Sequence, residues 1–401
     1  MSTFAPLWTF CTINDDLLSE STNTAFRFDY VDISNVTPGR ISQNLEETTF
    51  SEAPSRARRL ARPGDVIVST VRTYLRAVAP VYESPRPRVY STGFAVIRPD
   101  DSKSDSRFVR YCFTSDEIID EIIAHSTGVS YPAINAADIS RLRLPLPNLP
   151  TQRRIADYLD RETAQIDAMA GALDGLVARL EERRRSIISE FMDPFSECDT
   201  VPIGLCAKVT LGKTIQNEPR SNTTDSPVKY IRAANIQPNG VLATDTQSMF
   251  ANAAEIAALD LRTGDVLVVE GGAGYGRSLT LEEPLAGWVF QNHIIRARPY
   301  SGWHGKYIDY GIRHLLHAGY IEQIARGATI PGLSSGNLRS LPLIFRPLNE
   351  QRRIADHLDE ETAKIDAMIA KAGELRALLD ERRSALITAT VTGQHPVPEE
   401  P

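Results

Sequence analysis

Gln152-Arg153-Arg154-Ile155-Ala156-Asp157-Tyr158-Leu159-Asp160 returns 199 residues later as Gln351-Arg352-Arg353-Ile354-Ala355-Asp356-His357-Leu358-Asp359. Carried on to Met169 and Met368, 15 of 18 positions are identical. A period of this kind marks a duplicated structural unit and decides the architecture before any single element is read. Fainter echoes keep nearly the same offset. Tyr30-Val31 matches Tyr230-Ile231, Gly64-Asp65-Val66 matches Gly264-Asp265-Val266, and Gly128 and Pro132 match Gly327 and Pro331. Each copy is therefore a variable globular part followed by a nearly invariant helical part.

The helical parts open after prolines, Pro150 and Pro347, which are good start signals. In the first copy the apolar positions are Ile166, Met169, Leu173, Leu176, Leu180, Ile187 and Phe191, with Arg183 filling one gap. The second copy sets Ile365, Met368, Ala372, Leu375, Leu379, Arg382 and Leu386 in the same register. Alternating spacings of three and four keep a narrow apolar seam on one face, as a coiled coil requires. Gly171 and Gly175 weaken the first helix, by about 1 kcal/mol each relative to alanine. Two matching seams in one chain predict an antiparallel pair. The plainer reading, each helix packed only on its own domain, is disfavoured because such a helix would diverge along with that domain.

The variable parts read as mixed α and β. Strand-like runs lie at 65–70, 89–97, 265–270 and 289–297, rich in β-branched and aromatic residues. Helix-like stretches lie at 107–125 and 306–326.

With 401 residues, 42% apolar and 24% charged, the composition is that of a globular protein of two or three domains. No apolar run approaches the roughly 18 residues that cross a bilayer, and the first residues lack the pattern of a secretory signal. Cys11, Cys112, Cys198 and Cys206 suit neither a disulfide framework nor a zinc site. The expected location is cytoplasmic. A net charge of −7 argues mildly against nucleic-acid binding. Its distribution does not, because eight arginines between Arg56 and Arg88 face only Asp65 and Glu83.

The succession of variable domain, Pro-x-x-x-x-Gln-x-x-Ile helix, second variable domain and second such helix resembles the specificity subunit of type I restriction-modification systems. Gln152, Ile155 and Leu159, with Gln351, Ile354 and Leu358, carry the resemblance over essentially the whole chain. One spacing departs, since Pro147 lies five residues before Gln152 and Pro347 four before Gln351. The resemblance implies an α+β chain: two similar mixed α/β target recognition domains separated by two long antiparallel helices forming a coiled-coil spacer. The domains would be 1–147 and 196–345, the conserved helical regions 148–195 and 346–391, and 392–401 a flexible tail. It further implies a non-catalytic, DNA-binding subunit reading a bipartite target. Two modification methyltransferase subunits and two restriction/translocase subunits would be its partners. S-adenosylmethionine, magnesium and ATP would be bound by those partners, not by this chain, which takes no cofactor and no metal. A helix spanning 164–191 is about 42 Å long, enough to set two major-groove readers about one turn of DNA, ~34 Å, apart.

Candidate DNA contacts follow. Arg72, Thr73, Tyr74 and Arg76 lie in a loop after a strand, and arginine can pair with guanine O6 and N7. The corresponding glycine-rich stretch holds Gly272, Gly274, Tyr275 and Arg277, and inserting one residue sets Tyr74 and Arg76 opposite Tyr275 and Arg277. It lacks the Gly-Lys-Ser/Thr ending of a phosphate loop. Arg56, Arg58, Arg59 and Arg62 would hold phosphates, unless they are simply a solvated face. Ser91 and Thr92, and at the same offset Gln291, Asn292 and His293, precede strands and suit base edges. The turns at 128–131 and 327–330 are either DNA-facing or merely structural.

No amino-methyltransferase motif and no Walker loop is present. Asp359, Glu361 and Lys364 read as helix surface charge, and His314 with His317 lacks a third metal ligand. Two other readings remain: a coiled-coil scaffold whose variable domains bind protein, and an enzyme with an unrecognised site.

Overall fold

The computed structural model describes residues 4–128, 132–195, 199–221, 224–238, 240–243, 247–272, 274–325 and 332–398. Two compact units result, Met1–Asp174 with Gly373–Pro401 and Gly175–Ala372. The division cuts both long helices, Leu149–Met192 and Leu348–Val391. Each unit thus holds one globular domain, the start of one long helix and the end of the other. Among the described residues, no helix is long and apolar enough to cross a membrane.

The first domain contains a sheet ordered Cys11–Ile13, Phe94–Pro99, Val66–Ser69, Val78–Pro80 and another ordered Glu46–Thr49, Arg27–Val31, Arg88–Ser91, Ala57–Arg59. The second repeats them as Ala207–Leu211, Ile294–Pro299, Val266–Val269, Ser278–Thr280 and as Gln247–Ala251, Ser226–Ile231, Val289–Phe290. Each second sheet contains one parallel pair, Arg88–Ser91 on Arg27–Val31 and Val289–Phe290 on Ser226–Ile231. In the strand Val66–Ser69, Val66 and Val68 enter one core and Ile67 the other. Val266 and Val268 are likewise divided from Leu267 and Val269. Burial on both faces explains why these strands read as unbroken apolar runs without alternation.

The runs expected at 89–97 and 289–297 each break at a turn and pass from one sheet to the other. The stretch 107–125 divides into Ser106–Thr114 and Asp116–Ala124 at Ser115, whose extended ψ of 143° stops the first helix. The Gly-Asp entries have a plain cause. Gly64 and Gly264 turn the chain at φ of 94° and 83°, where a side chain would be strained. Asp65 and Asp265, both buried, then accept the backbone N–H of Arg62 and Arg262 at 2.8 Å. Each carboxylate also takes a two-pronged bond, Asp65 from Arg98 at 3.1 and 2.8 Å, and Asp265 from Arg298 at 2.7 Å on both oxygens.

The near-identical helical stretch docks each domain. Gln152 is wholly buried; its Oε1 accepts Asp105 N–H at 2.9 Å and its Nε2 donates to the carbonyls of Lys103 and Pro147 at 3.1 and 2.8 Å. Gln351 does the same with His304 N–H at 2.9 Å and the carbonyls of Gly302 and Arg346 at 3.1 and 2.7 Å. Ile155 and Leu159 join a core with Phe108 and Val109, and Ile354 and Leu358 one with Ile308 and Ile312. Burial of each such side chain contributes roughly 1.5–3 kcal/mol. Tyr111 donates to Asp160 and Tyr310 to Asp359, both at 2.7 Å. Burial pushes the Asp160 carboxyl up, but the Tyr111 hydroxyl and Arg110 outweigh it and hold that group below the usual carboxylate range. A helix that serves its own domain therefore need not diverge from its copy. The invariant residues are the docking residues.

The same units also contain the helix pairing. Ile387 and Val391, from the end of the second long helix, complete the first core; Ile188 and Met192, from the end of the first, complete the second. Antiparallel ion pairs link Asp167 with Arg383 at 3.3 Å and Asp174 with Arg376 at 3.9 Å. In the second unit Asp366 meets Arg184, the same pair in the other copy. Ile166, Leu180 and Ile365 are buried seam residues, and Leu173, Leu379, Ile187 and Leu386 are half-buried beside it. Met169, Leu176, Met368 and Leu375 correct the expectation: they are 40–48% exposed. Ala170 and Ala372 take the seam positions instead, alongside half-buried Arg184 and Arg383, so the larger apolar residues misplaced the stripe. Both helices run through Gly171, Gly175 and Gly373 unbroken. Past the second helix, Tyr158 Oη and His395 Nε2 lie 3.0 Å apart with stacked rings.

Candidate nucleic-acid interface

In each domain one chain of backbone hydrogen bonds joins four loops into a rim. In the first, Thr92 N–H donates to the Arg56 carbonyl at 2.8 Å, Thr70 N–H to Gly93 at 2.8 Å, Ile134 N–H to Thr70 at 2.9 Å and Arg72 N–H to Pro132 at 2.8 Å. The second rim repeats the links of Thr70 to Gly93 and of Ile134 to Thr70. Its remaining link runs to Lys213, just past Ala207–Leu211 and not at the place of Arg56. Asn292 N–H donates to Lys213 at 2.9 Å, Glu270 N–H to His293 at 2.9 Å and Leu333 N–H to Glu270 at 2.7 Å. The central part of the frame is shared and the side chains on it are not.

The loops 70–76 and 270–276 correspond without an insertion. Leu75 N–H donates to Arg72 at 2.9 Å as Tyr275 N–H does to Gly272 at 3.1 Å, and Ser69 N–H donates to Ala77 as Val269 N–H does to Arg277. Left-handed backbone falls at Arg72 and Arg76, both φ 51°, and at Gly272 and Gly276, φ 82° and 80°. Tyr74 and Arg76 therefore do not match Tyr275 and Arg277; Leu75 faces Tyr275 in the alignment and Ala77 faces Arg277.

The structure brings some of the expected residues together. Arg56, Arg72, Tyr74 and Thr92 are exposed on the first rim. Arg58 lies over the Phe50 ring at 5.0 Å, and burial lowers the half-buried Arg59. Arg62 lies between the strands Ala57–Arg59 and Val66–Ser69, away from the rim, and pairs with Asp16 at 2.7 Å. Arg76 turns inward to Asp116 at 2.5 Å and Asp120 at 3.1 Å. Ser91 is wholly buried, its hydroxyl accepting Gly93 N–H at 3.2 Å, and buried Thr73 shares a 2.8 Å hydrogen bond with Ser126. Arg76, Ser91 and Thr73 fasten the rim instead of facing outward.

On the second rim His293 is exposed, 3.7 Å from Glu270, and Gln291 and Asn292 are half-buried. Gly274 lies under the Arg277 guanidinium, and Tyr275 packs partly on the core. Two residues escaped the sequence reading. Leu75 is 46% exposed beside Tyr74, and Lys213 sits on the second rim, bonded to Gln216 and Glu255 at 3.0 and 2.8 Å. Apart from Gly128, the turns at 128–131 and 327–330 lie outside the described residues.

Among the described residues no group of acidic, histidine and cysteine side chains suits a metal. His314 is buried and His317 exposed. Asp359 accepts Lys306 and Tyr310, while Lys364 pairs with Glu360 and Glu361.

Residues 30–176 match the family model for the type I restriction modification DNA specificity domain. The type I restriction enzyme EcoBI specificity subunit of Escherichia coli is 34% identical over 90 residues, 21% of this chain and 19% of that protein. This chain thus aligns with about a fifth of the length of that curated relative. A solved chain from work on complex assembly and conformational transition of the type I R-M system superposes with TM-score 0.76 at 23% identity, covering 97% of both chains. The HsdS subunit from Thermoanaerobacter tengcongensis gives TM-score 0.54 at 23% identity, covering 98% of this chain and 97% of that one. Each unit thus holds one globular domain with a backbone rim, on a fold shared with those solved chains. Residues 30–176 resemble the type I restriction modification DNA specificity domain, and the whole chain shares its fold with the two solved chains.

Proposed function

We propose that this chain is the non-catalytic subunit that reads DNA for a type I restriction-modification complex in the cytoplasm. Each globular domain reads one half of a bipartite target through its rim. The observation that carries this is the duplicated rim: the same central backbone links under two different sets of side chains. Two readers that share a frame and differ in their contacts are what a split, asymmetric target requires. Arg56 and Arg72 supply the cations that position a phosphate backbone.

Met169 and Leu176 on one helix, with Met368 and Leu375 at the same places on the other, leave matching exposed apolar stripes. Such stripes support docking of two like partners, the modification methyltransferase subunits, since methionine surfaces adapt to an opposing face. S-adenosylmethionine, magnesium and ATP bind those partners and the two restriction/translocase subunits.

The test is methylation mapping in cells that express the chain with a type I modification methyltransferase subunit. Exchange of residues 1–147 for those of a relative is expected to change one half of a bipartite methylated motif and leave the other intact. A single undivided motif, or changes in both halves, contradicts the proposal.

A further inference from the structure

The first rim carries something the second lacks. Tyr74 and Leu75 stand at the apex of the 70–76 loop, 53% and 46% exposed. The loop is tied against any movement that would bury them. Its shoulders are joined by Ser69 N–H to Ala77 at 2.9 Å, Arg76 N–H to Thr73 at 3.0 Å and Arg72 N–H to Pro132 at 2.8 Å. Thr73 is held by Ser126 and Arg76 by Asp116 and Asp120. Arg72 and Arg76 keep a left-handed backbone where the second domain has glycine. Strain retained at a place where glycine would remove it belongs to sites that gain from a fixed geometry.

Charge on the rim fits a polyanion, with Arg56 and Arg72 exposed near the tip. The tip itself offers two apolar faces, which phosphates do not satisfy and base faces do. Apolar side chains held beside cations are the means by which proteins open a base step.

We propose that Tyr74 and Leu75 form a wedge that presses into one base step of the half-site read by the first domain and partly unstacks it. The second domain reads its half-site without a wedge. At the same places it has Gly274 and Tyr275, and Tyr275 leans on its own core. Recognition of the first half-site therefore includes the ease of unstacking, which favours a pyrimidine–purine step under the wedge. This rests on the DNA-reading role proposed above.

The experiment uses the full-length chain and duplexes of the mapped target, with 2-aminopurine placed in turn along both half-sites. A several-fold fluorescence rise is expected at one step of the first half-site and none in the second. The double variant Tyr74→Ala, Leu75→Ala, which alters exposed side chains only, should remove the rise and weaken binding about tenfold, with an unchanged melting temperature. Full-affinity binding without any rise, or a rise that survives the double variant, overturns the wedge and leaves DNA reading standing. Absence of salt-sensitive binding to any duplex overturns the DNA reading, and the wedge with it.

Discussion

The loops at 70–76 and 270–276 follow one path over different residues. Where the second uses Gly272 and Gly276 for its left-handed turns, the first uses Arg72 and Arg76. Each arginine costs roughly 1–2 kcal/mol there. Where the second presents Gly274, the first presents Tyr74, 53% exposed. The path survives such exchange because it is fixed from outside the loop. The buried Asp65–Arg98 and Asp265–Arg298 pairs set one end of the central strand, and backbone bonds to 132–134 and to Leu333 set the other. The frame is shared and the contact chemistry is free to vary.

That comparison can be broken at its foundation. Asp65→Ala and Asp265→Ala each remove a buried carboxylate that accepts two arginine N–H groups and a backbone N–H. Arg98 keeps Asp16 and Arg298 keeps Asp260, and each substitution should lower stability by about 3 kcal/mol in denaturant unfolding. A large loss in one domain and none in the other would show that the frames are not equivalent. Gln152→Leu and Gln351→Leu leave an N–H and two carbonyls unpaired, and each should cost about 2–3 kcal/mol by the same measurement.

Swapping the loop residues sharpens the contrast. Gly276→Arg adds a strained φ and sets a Cβ 2.8 Å from the Leu316 methyl, so a loss of about 2 kcal/mol is expected. Arg72→Gly should do the opposite and raise thermal stability by about 0.5–1 kcal/mol, since relief of strain exceeds the added freedom of the unfolded chain.

The smallest effect separates the units by pH. His304 and His314, both in the second unit, are pushed below the usual histidine range of 6.5 chiefly by burial. A lowered folded value favours the neutral ring, so the stability it contributes is present above about 6.5 and drains away as pH falls through the folded value. Hydrogen exchange at pH 7 and pH 5.5 should show the second unit loosening first.

Much of the fold was legible in the sequence. The repeat announced two like domains and two long helices, because Gln152 and Gln351 and the residues after them meet the same buried surroundings twice. Strands such as Val66–Ser69 announced themselves as apolar runs. The helix seam was less legible. Ala170 and Arg184 occupy it while Met169 and Leu176 face outward, and periodicity alone favours the bulkier residues. The rim was half legible: Arg56, Arg72 and Tyr74 lie on it, but Arg62 and Arg76 are held by carboxylates distant in sequence. The Tyr-x-Arg match failed because the loops align by backbone handedness, which glycine and arginine satisfy without any similarity of letters.

The central claim is that two rims read two separated half-sites on one duplex. Hydroxyl-radical footprinting of the full-length chain on its mapped target tests this most directly. Two protected patches about one helical turn apart, ~34 Å, are expected, with an accessible stretch between them, and loss of only one patch in Arg56→Ala, Arg72→Ala. One continuous patch, or both patches lost together in that variant, would contradict it.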